Sequence, residues 1–199
     1  AKEAELPQHT LTLPGFYMGK HPVTNEQYET FVHETWHRPP AHWDPEGVPE
    51  DMERHPVVDV SWYDALAFAA WIGERTELDV DLPSEAEWEL AARGTDGRLF
   101  PWGDEPPTAD LGNFDANIRE TTPVGHYSPQ GDSPAGCTDM AGNVWEWTRS
   151  VWGPAWDHPQ FTYPYDPADG REDLNAPTSL RRIIRGGSYG SKGWYVRCA

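Results

Sequence analysis

Eleven tryptophans share a chain of 199 residues with 20 prolines and 18 glycines. Large rings need burial, while Pro and Gly interrupt regular elements. The pairing therefore points to a loop-rich fold held by big aromatic side chains rather than by long helices. It also argues against disorder, because disordered chains are poor in aromatics. The length suits one domain with a sizeable core.

Local signals divide the chain near residue 95. Within residues 1–23, Leu11, Leu13, Phe16 and Tyr17 alternate weakly around Pro14-Gly15, which predicts two short strands about a turn. Thr24 with Gln27 forms a capping box, and Tyr28, Phe31, Val32 and Trp36 share a helical face. This first helix is expected to end at Pro39-Pro40. Residues 39–56 read as a loop, and Val57, Val58 and Val60 as a short extended piece. Ser61 with Asp64 opens a second helix whose packing face reads as Leu66, Ala69, Ala70 and Gly73. Ser84 with Glu87 opens a short helix that runs to Arg93, with Gly94 as its C-cap. Beyond residue 95 no long periodic segment exists, only short apolar pieces such as Val144-Trp145 and Ile183-Ile184. Helices followed by irregular loops and short strands indicate an α+β fold. A long irregular stretch in a compact domain is usually functional or ligand-stabilised.

The formal net charge is -18. It argues against a general nucleic-acid surface or docking on anionic lipid, and it is compatible with bound calcium. Two cysteines, Cys137 and Cys198, are too few for a disulfide framework and leave the compartment undetermined. No run of about 18 apolar residues exists, so no membrane span is expected. The sequence starts Ala1-Lys2-Glu3 without a visible secretion signal.

Six segments, in order over nearly the whole chain, carry a family resemblance. They are His21–Tyr28, His55–Ala65, Leu82–Glu89, Phe100–Glu105, Asp139–Thr148 and Arg185–Tyr189. Together they resemble the formylglycine-generating-enzyme (sulfatase-modifying factor) family. The resemblance implies a C-type-lectin-like fold across residues 1–199 as a single domain, with two main helices, short strands and much irregular loop. Relatives of this type continue past a segment like Trp194–Ala199 into a final strand that closes against the N-terminal strands. That strand is absent from this sequence, so residues after Arg185 are expected to form an exposed, aromatic-bearing and poorly closed surface.

The resemblance also sets the chemistry. The family's oxidase uses two cysteines after the Arg-Gly-Gly-Ser motif, suited as thiolates to Cu(I). The matching positions here are Ser191 and Val196, neither of them a Cu(I) ligand. Cys198 lies two residues further on, so no catalytic set is assigned and copper is not expected. The family places a calcium at the Asp139–Glu146 loop. Carried over, its ligands are Asp139, Gly142 and Val144 by carbonyl, and Glu146, with Asn143 a further side-chain oxygen in the loop. A second calcium would begin at Asn113 and the carbonyl of Phe114, with Asp115 or Asn117 as substitutes for later ligands. His33-Glu34-Thr35-Trp36-His37 reads literally as the zinc-protease H-E-x-x-H pattern, but it sits just before two prolines and reads better as surface histidines.

Two functions follow. One is a non-catalytic module that binds a protein or small ligand, as in proteins diversified by retroelements, which vary residues in the C-terminal segment of this scaffold. Tyr189, Ser191, Lys192, Trp194 and Tyr195 would then form the surface, since Tyr and Trp give large rigid contact area at low entropic cost. The alternative is a metal-dependent oxidoreductase of the same family, converting a peptidyl cysteine to formylglycine with copper.

Overall fold

The computed structural model describes residues 6–199. Among these residues, every α-helix lies before residue 95 and both strands lie beyond it. The elements are α1 (Asn25–Thr35), α2 (Trp62–Thr76), α3 (Glu85–Arg93), β1 (Glu146–Gly153) and β2 (Arg181–Arg185), followed by a 3-10 turn at Gly193–Tyr195.

Each helix starts as its sequence signal requires. Thr24, Ser61 and Ser84 are N-caps in extended conformation, and each completes a capping box with Gln27, Asp64 or Glu87. α1 stops earlier than expected, because Trp36 turns left-handed (φ 58°) four residues before Pro40. The end is therefore set by the C-cap and not by the prolines. α2 presents its aromatic stripe to α1: Phe68 stacks on Tyr28 at 5.7 Å between ring centroids and meets Phe31 edge-on at 5.6 Å. Such pairs are worth about 0.5–1.5 kcal/mol beyond burial. Ala70, read as part of a small-residue packing face, is exposed; the rings bury more area than the alanine stripe and orient the helix.

Trp88 of α3 is fully buried among Ala91, Ala92, Cys137, Met140 and Cys198, with Met18 packed alongside. β1 and β2 pair antiparallel from Glu146 opposite Arg185 and Trp147 opposite Ile184, then shift register before Val151. Trp62 of α2 donates Nε1–H to the Thr148 carbonyl at 2.9 Å, so helix and sheet are joined through an indole.

The strands expected in residues 1–23 do not form within 6–23; residues 1–5 lie outside the described part. The alternation is present, with His9, Leu11, Leu13, Phe16 and Met18 half-buried and Thr10, Thr12 and Tyr17 exposed. No backbone ladder joins residues 6–19 to another described segment, so the sequence period survives without the hydrogen bonds of a strand. The Val57–Val60 piece reduces to one bridge, Thr24 opposite Pro56. No helix among the described residues is long and apolar enough to cross a membrane.

Candidate functional site

The loop leading into β1 turns through three left-handed residues, Asp139 (φ 58°), Gly142 (φ 90°) and Asn143 (φ 63°). At Gly142 the backbone passes so close to Asn113 that a Cβ would collide with the Asn113 carbonyl oxygen. Asn143 is the hub of this loop. Its N–H donates to the Asn113 carbonyl at 2.7 Å and its carbonyl accepts from Tyr189 N at 2.9 Å. Its side chain accepts from Thr122 N at 2.9 Å and donates to the Thr122 carbonyl at 3.1 Å. Its Oδ1 also accepts from Asn113 Nδ2 at 3.3 Å. Asn143 works as a fastener across three segments.

The carboxyls are less satisfied. Glu146 is half-buried as a residue, yet its Oε1 is sealed from solvent without a hydrogen-bond partner. Its Oε2 accepts from Trp88 Nε1 at 2.8 Å. Burial pushes the Glu146 pKa up to about 7; the indole bond opposes this and the charge of Asp139 adds to it. Burial also raises the Asp139 pKa, against hydrogen bonds to its Oδ2 from Gly125 N at 2.6 Å and Thr138 Oγ1 at 2.9 Å. The Met140 and Val144 carbonyls converge on Gly186, 3.6 and 3.7 Å from where a Cβ would stand. Asn113 Oδ1 is likewise sealed and unpartnered, while its Nδ2 donates to the Glu120 carbonyl at 2.8 Å. The Phe114 carbonyl accepts from Asn117 N at 3.1 Å. No cluster of three or more His, Cys, Asp or Glu is placed for a metal among the described residues, so a cation here would depend on carbonyl and carboxamide oxygens as well.

Ser191 and Val196 meet at one point. A Cβ on Gly187 would lie 2.8 Å from Val196 Cγ1 and 3.5 Å from Ser191 Cβ and Oγ. Ser191 Oγ accepts from Ser188 N at 2.9 Å, and Val196 is fully buried with Phe100, Phe114 and Ala141. Cys198 is buried instead around Trp88, where desolvation pushes its pKa up to about 12; burial raises that of Cys137 as well. Burial thus disfavours the thiolate form of both cysteines.

The segment after Arg185 is pinned at intervals. Ser191 and Tyr189 carbonyls accept from Asp115 N and Ala116 N, each at 2.7 Å, and Cys198 N donates to the Leu99 carbonyl at 2.9 Å. Gly193 is buried against Pro107, whose Cγ would be 3.0 Å from a Cβ there. Between Gly193 and Val196 the rings of Trp194 and Tyr195 project, 61% and 48% exposed. Lys192 is exposed, 3.5 Å from Asp115 Oδ1, and Tyr189 and Ser191 are half-buried. These backbone bonds tie the segment to residues 99, 115 and 116.

Compared with known proteins, the whole chain, residues 1–199, matches the sulfatase-modifying factor enzyme 1-like domain. The chain belongs to that family. It is 33% identical to the formylglycine-generating enzyme of Streptomyces coelicolor, over 94% of this chain and 71% of that one. It is 36% identical to the serine/threonine-protein kinase Pkn1 of Chlamydia trachomatis, over 98% of this chain and 31% of the relative. Hercynine oxygenase of Mycolicibacterium thermoresistibile is 32% identical, over 95% of this chain and 47% of the relative. The chain thus spans 31% and 47% of the lengths of the last two relatives. Among solved structures, PvdO from Pseudomonas aeruginosa superposes with a TM-score of 0.67 at 22% identity, covering 90% of this chain and 70% of that one. Treponema denticola variable protein 1 gives 0.58 at 21% identity, covering 89% and 74%. These neighbours establish the shared fold, the α+β type read from the sequence.

In this sulfatase-modifying-factor-type domain, the H-E-x-x-H pattern is not assembled. α1 ends at Thr35, so His37 leaves the helix and bonds Asp64 Oδ1 at 2.8 Å through Nε2, while His33 stays on α1 beside Glu29. A feature missed from the sequence is a cleft of about 570 Å³ between Phe16, Met18, Leu90, Pro134 and Cys137. Its walls come from three distant segments, and no local pattern marks them.

Proposed function

We propose that this chain is a non-catalytic binding module on a sulfatase-modifying-factor scaffold, with its ligand surface formed by Tyr189, Ser191, Lys192, Trp194 and Tyr195. The observation that carries this reading is the pair of large exposed rings, Trp194 and Tyr195, set between the buried anchors Gly193 and Val196. Large rings that stay exposed on a backbone already fixed bind with little ordering cost. Likeness of fold to a variable protein supports the narrower reading that the segment is diversified by a retroelement.

Calcium completes the scaffold in this reading. Asp139, the Gly142 and Val144 carbonyls and Glu146 would hold one ion; Asn113 Oδ1 and the Phe114 carbonyl would begin a second site. The support is an all-oxygen donor set, two sealed oxygens without partners and two carboxyls whose proton affinities are raised by burial. A bound ion would neutralise those carboxylates and tie the loop to β1.

The alternative, copper-dependent oxidation of a peptidyl cysteine, has a geometric argument in the meeting of positions 191 and 196 beside Gly187. It fails on chemistry, because Ser and Val offer Cu(I) no soft donor. The test is to incubate the protein with a sulfatase-type cysteine peptide, copper and reductant, and to look for the aldehyde by mass spectrometry. No aldehyde is expected. Turnover comparable to an active formylglycine-generating enzyme overturns the binding-module reading.

A further inference from the structure

The connection between β1 and β2 is rich in acid and in aromatic rings. From Pro154 to Leu180 it carries Asp157, Asp166, Asp169, Glu172 and Asp173 against a single Lys or Arg, Arg171, in a molecule of net charge -18. That arginine is already enclosed. Its guanidinium lies 4.3 Å from the Tyr165 ring centroid, 5.5 Å from that of Phe161 and 5.8 Å from that of Tyr163, and it bonds Asp169 Oδ2 at 2.7 Å. The connection thus builds a guanidinium site from rings and a carboxylate, and fills it with its own side chain.

A second pairing of ring and carboxylate in the same connection stays open. Trp156 stacks on Trp152 at 5.7 Å between centroids, tilted by 26°, yet it is 75% exposed. Trp152 belongs to β1, and its Nε1 donates to the Ala155 and Trp156 carbonyls, each at 3.1 Å. The turn is closed again by a bridge of Ala155 with His158 and by Gln160 N, which donates to the Trp152 carbonyl at 2.8 Å. At its base Gly153 lies so close to the His158 carbonyl that a Cβ would collide with it. The residue after Trp156 is Asp157, whose side chain is 76% exposed and whose Oδ1 faces His158 Nδ1 at 2.9 Å. Such a solvent-exposed pair is worth little and exchanges readily for a stronger cation. Among the described residues, no Lys or Arg lies over the Trp156 ring or pairs with Asp157.

We propose that the Trp156–Asp157 turn is a docking site for a basic peptide, with an arginine guanidinium on the open face of Trp156 and against the Asp157 carboxylate. Arg171 with Tyr165 and Asp169 is the same contact made within the chain. Indole is the strongest of the aromatic rings for a cation. The ring is held in place before binding, so little ordering cost falls on the complex. Charge selects the occupant, since the acid of this connection and of the whole molecule attracts a basic peptide. The same charge repels a nucleic acid, whose bases would otherwise suit an exposed indole. The turn lies in a different segment from the Tyr189–Tyr195 surface. The inference therefore goes beyond the binding-module reading and does not depend on it.

The test is fluorescence anisotropy with labelled peptides of alternating Arg and Ser, alternating Gln and Ser, and alternating Glu and Ser, beside an oligothymidylate of similar length. The Arg-Ser peptide is expected to bind about tenfold tighter than the other three probes. Trp156→Leu keeps an apolar side chain without the ring and should weaken Arg-Ser binding about fourfold, and Trp156→Phe about twofold. Asp157→Asn should weaken it about twofold. Glu50→Gln removes the same charge from an exposed position in another loop and should have a smaller effect than Asp157→Asn. His158→Gln removes the imidazole facing Asp157 and should tighten binding about twofold, a gain that misfolding cannot produce. Equal or tighter binding of the Gln-Ser peptide, the Glu-Ser peptide or the oligothymidylate overturns the proposal, as does absence of Arg-Ser binding. So does an Arg-Ser affinity unmoved by Trp156→Leu, or lowered as much by Glu50→Gln as by Asp157→Asn. Aldehyde formation in the separate assay bears on the binding-module reading alone, so the two can fail independently.

Discussion

From Asn25 to Arg93, every helix is opened by a Ser or Thr that bonds the residue three positions on, and each box closes within four residues. From Asn113 to Tyr189, the comparable fastener is Asn143, which joins Asn113, Thr122 and Tyr189 over separations of up to 46 residues. The first region is built from short-range bonds and then packed by rings; the second holds no regular shape until distant segments meet. A substitution in the first region should therefore act locally. One at a crossing in the second should act on everything that crosses there.

The sharpest way to break this contrast is Gly142→Ala. The added methyl meets the Asn113 carbonyl at a left-handed backbone position, and a cost of about 3 kcal/mol or more is expected in urea unfolding. Gly15→Ala, where nothing lies within 4 Å, is the control and should stay within about 1 kcal/mol. If the two behave alike, the crossing at Gly142 does not hold the second region together. Next in size is the metal. Calcium at a hundredfold excess over its Kd should stabilise the protein by about 2.7 kcal/mol, read as a rise in Tm that chelator reverses. Glu146→Ala should abolish the response, and a Tm indifferent to calcium and chelator would remove the ion from the second region.

A smaller effect is expected from Thr24→Ala, about 1 kcal/mol from the lost cap. Hydrogen exchange should quicken in α1 alone; quickening in residues 113–146 as well would show that the two regions are coupled. Smallest is a pH effect at the seam. Burial opposes the Glu87 carboxylate, but bonds from Ser84 and Arg149 outweigh it and hold its pKa below the ordinary 4.5. A depressed carboxyl pKa contributes stability above that ordinary value and loses it as pH falls through the lower folded value. Glu87→Gln, which keeps an acceptor for Ser84, should flatten the acid limb of the stability curve. An unchanged acid limb would show that the Arg149 link between α3 and β1 carries no such linkage.

The same contrast explains what the sequence made legible. The caps of all three helices, the Arg93 end of α3 and the Tyr28–Phe31 face were readable because they depend on residues within a turn or two. The family motifs carried the fold of residues 95–199, which no periodicity could have supplied. The partners of Asn143 were not readable, because Asn113, Thr122 and Tyr189 are brought to it by tertiary closure. Ala70 misled because helix orientation was decided by Phe68 and Trp71 against rings of another helix. In residues 6–20 the alternation was real, but a strand also needs a neighbour, which sequence period does not report.

The meeting of Ser191 and Val196 beside Gly187 bears on how chemistry is gained and lost in such a fold. Ser191 folds its hydroxyl back to Ser188, and Val196 completes an apolar cluster, so each position serves the architecture without a thiol. If a relative carried a thiol pair at these two sites, two point changes would remove it, and the bond and packing seen here would hold the local structure in its place. Similarity across the remaining residues would hardly register the loss. In a fold of this kind, resemblance over the whole chain and the chemistry of two side chains are separate pieces of information.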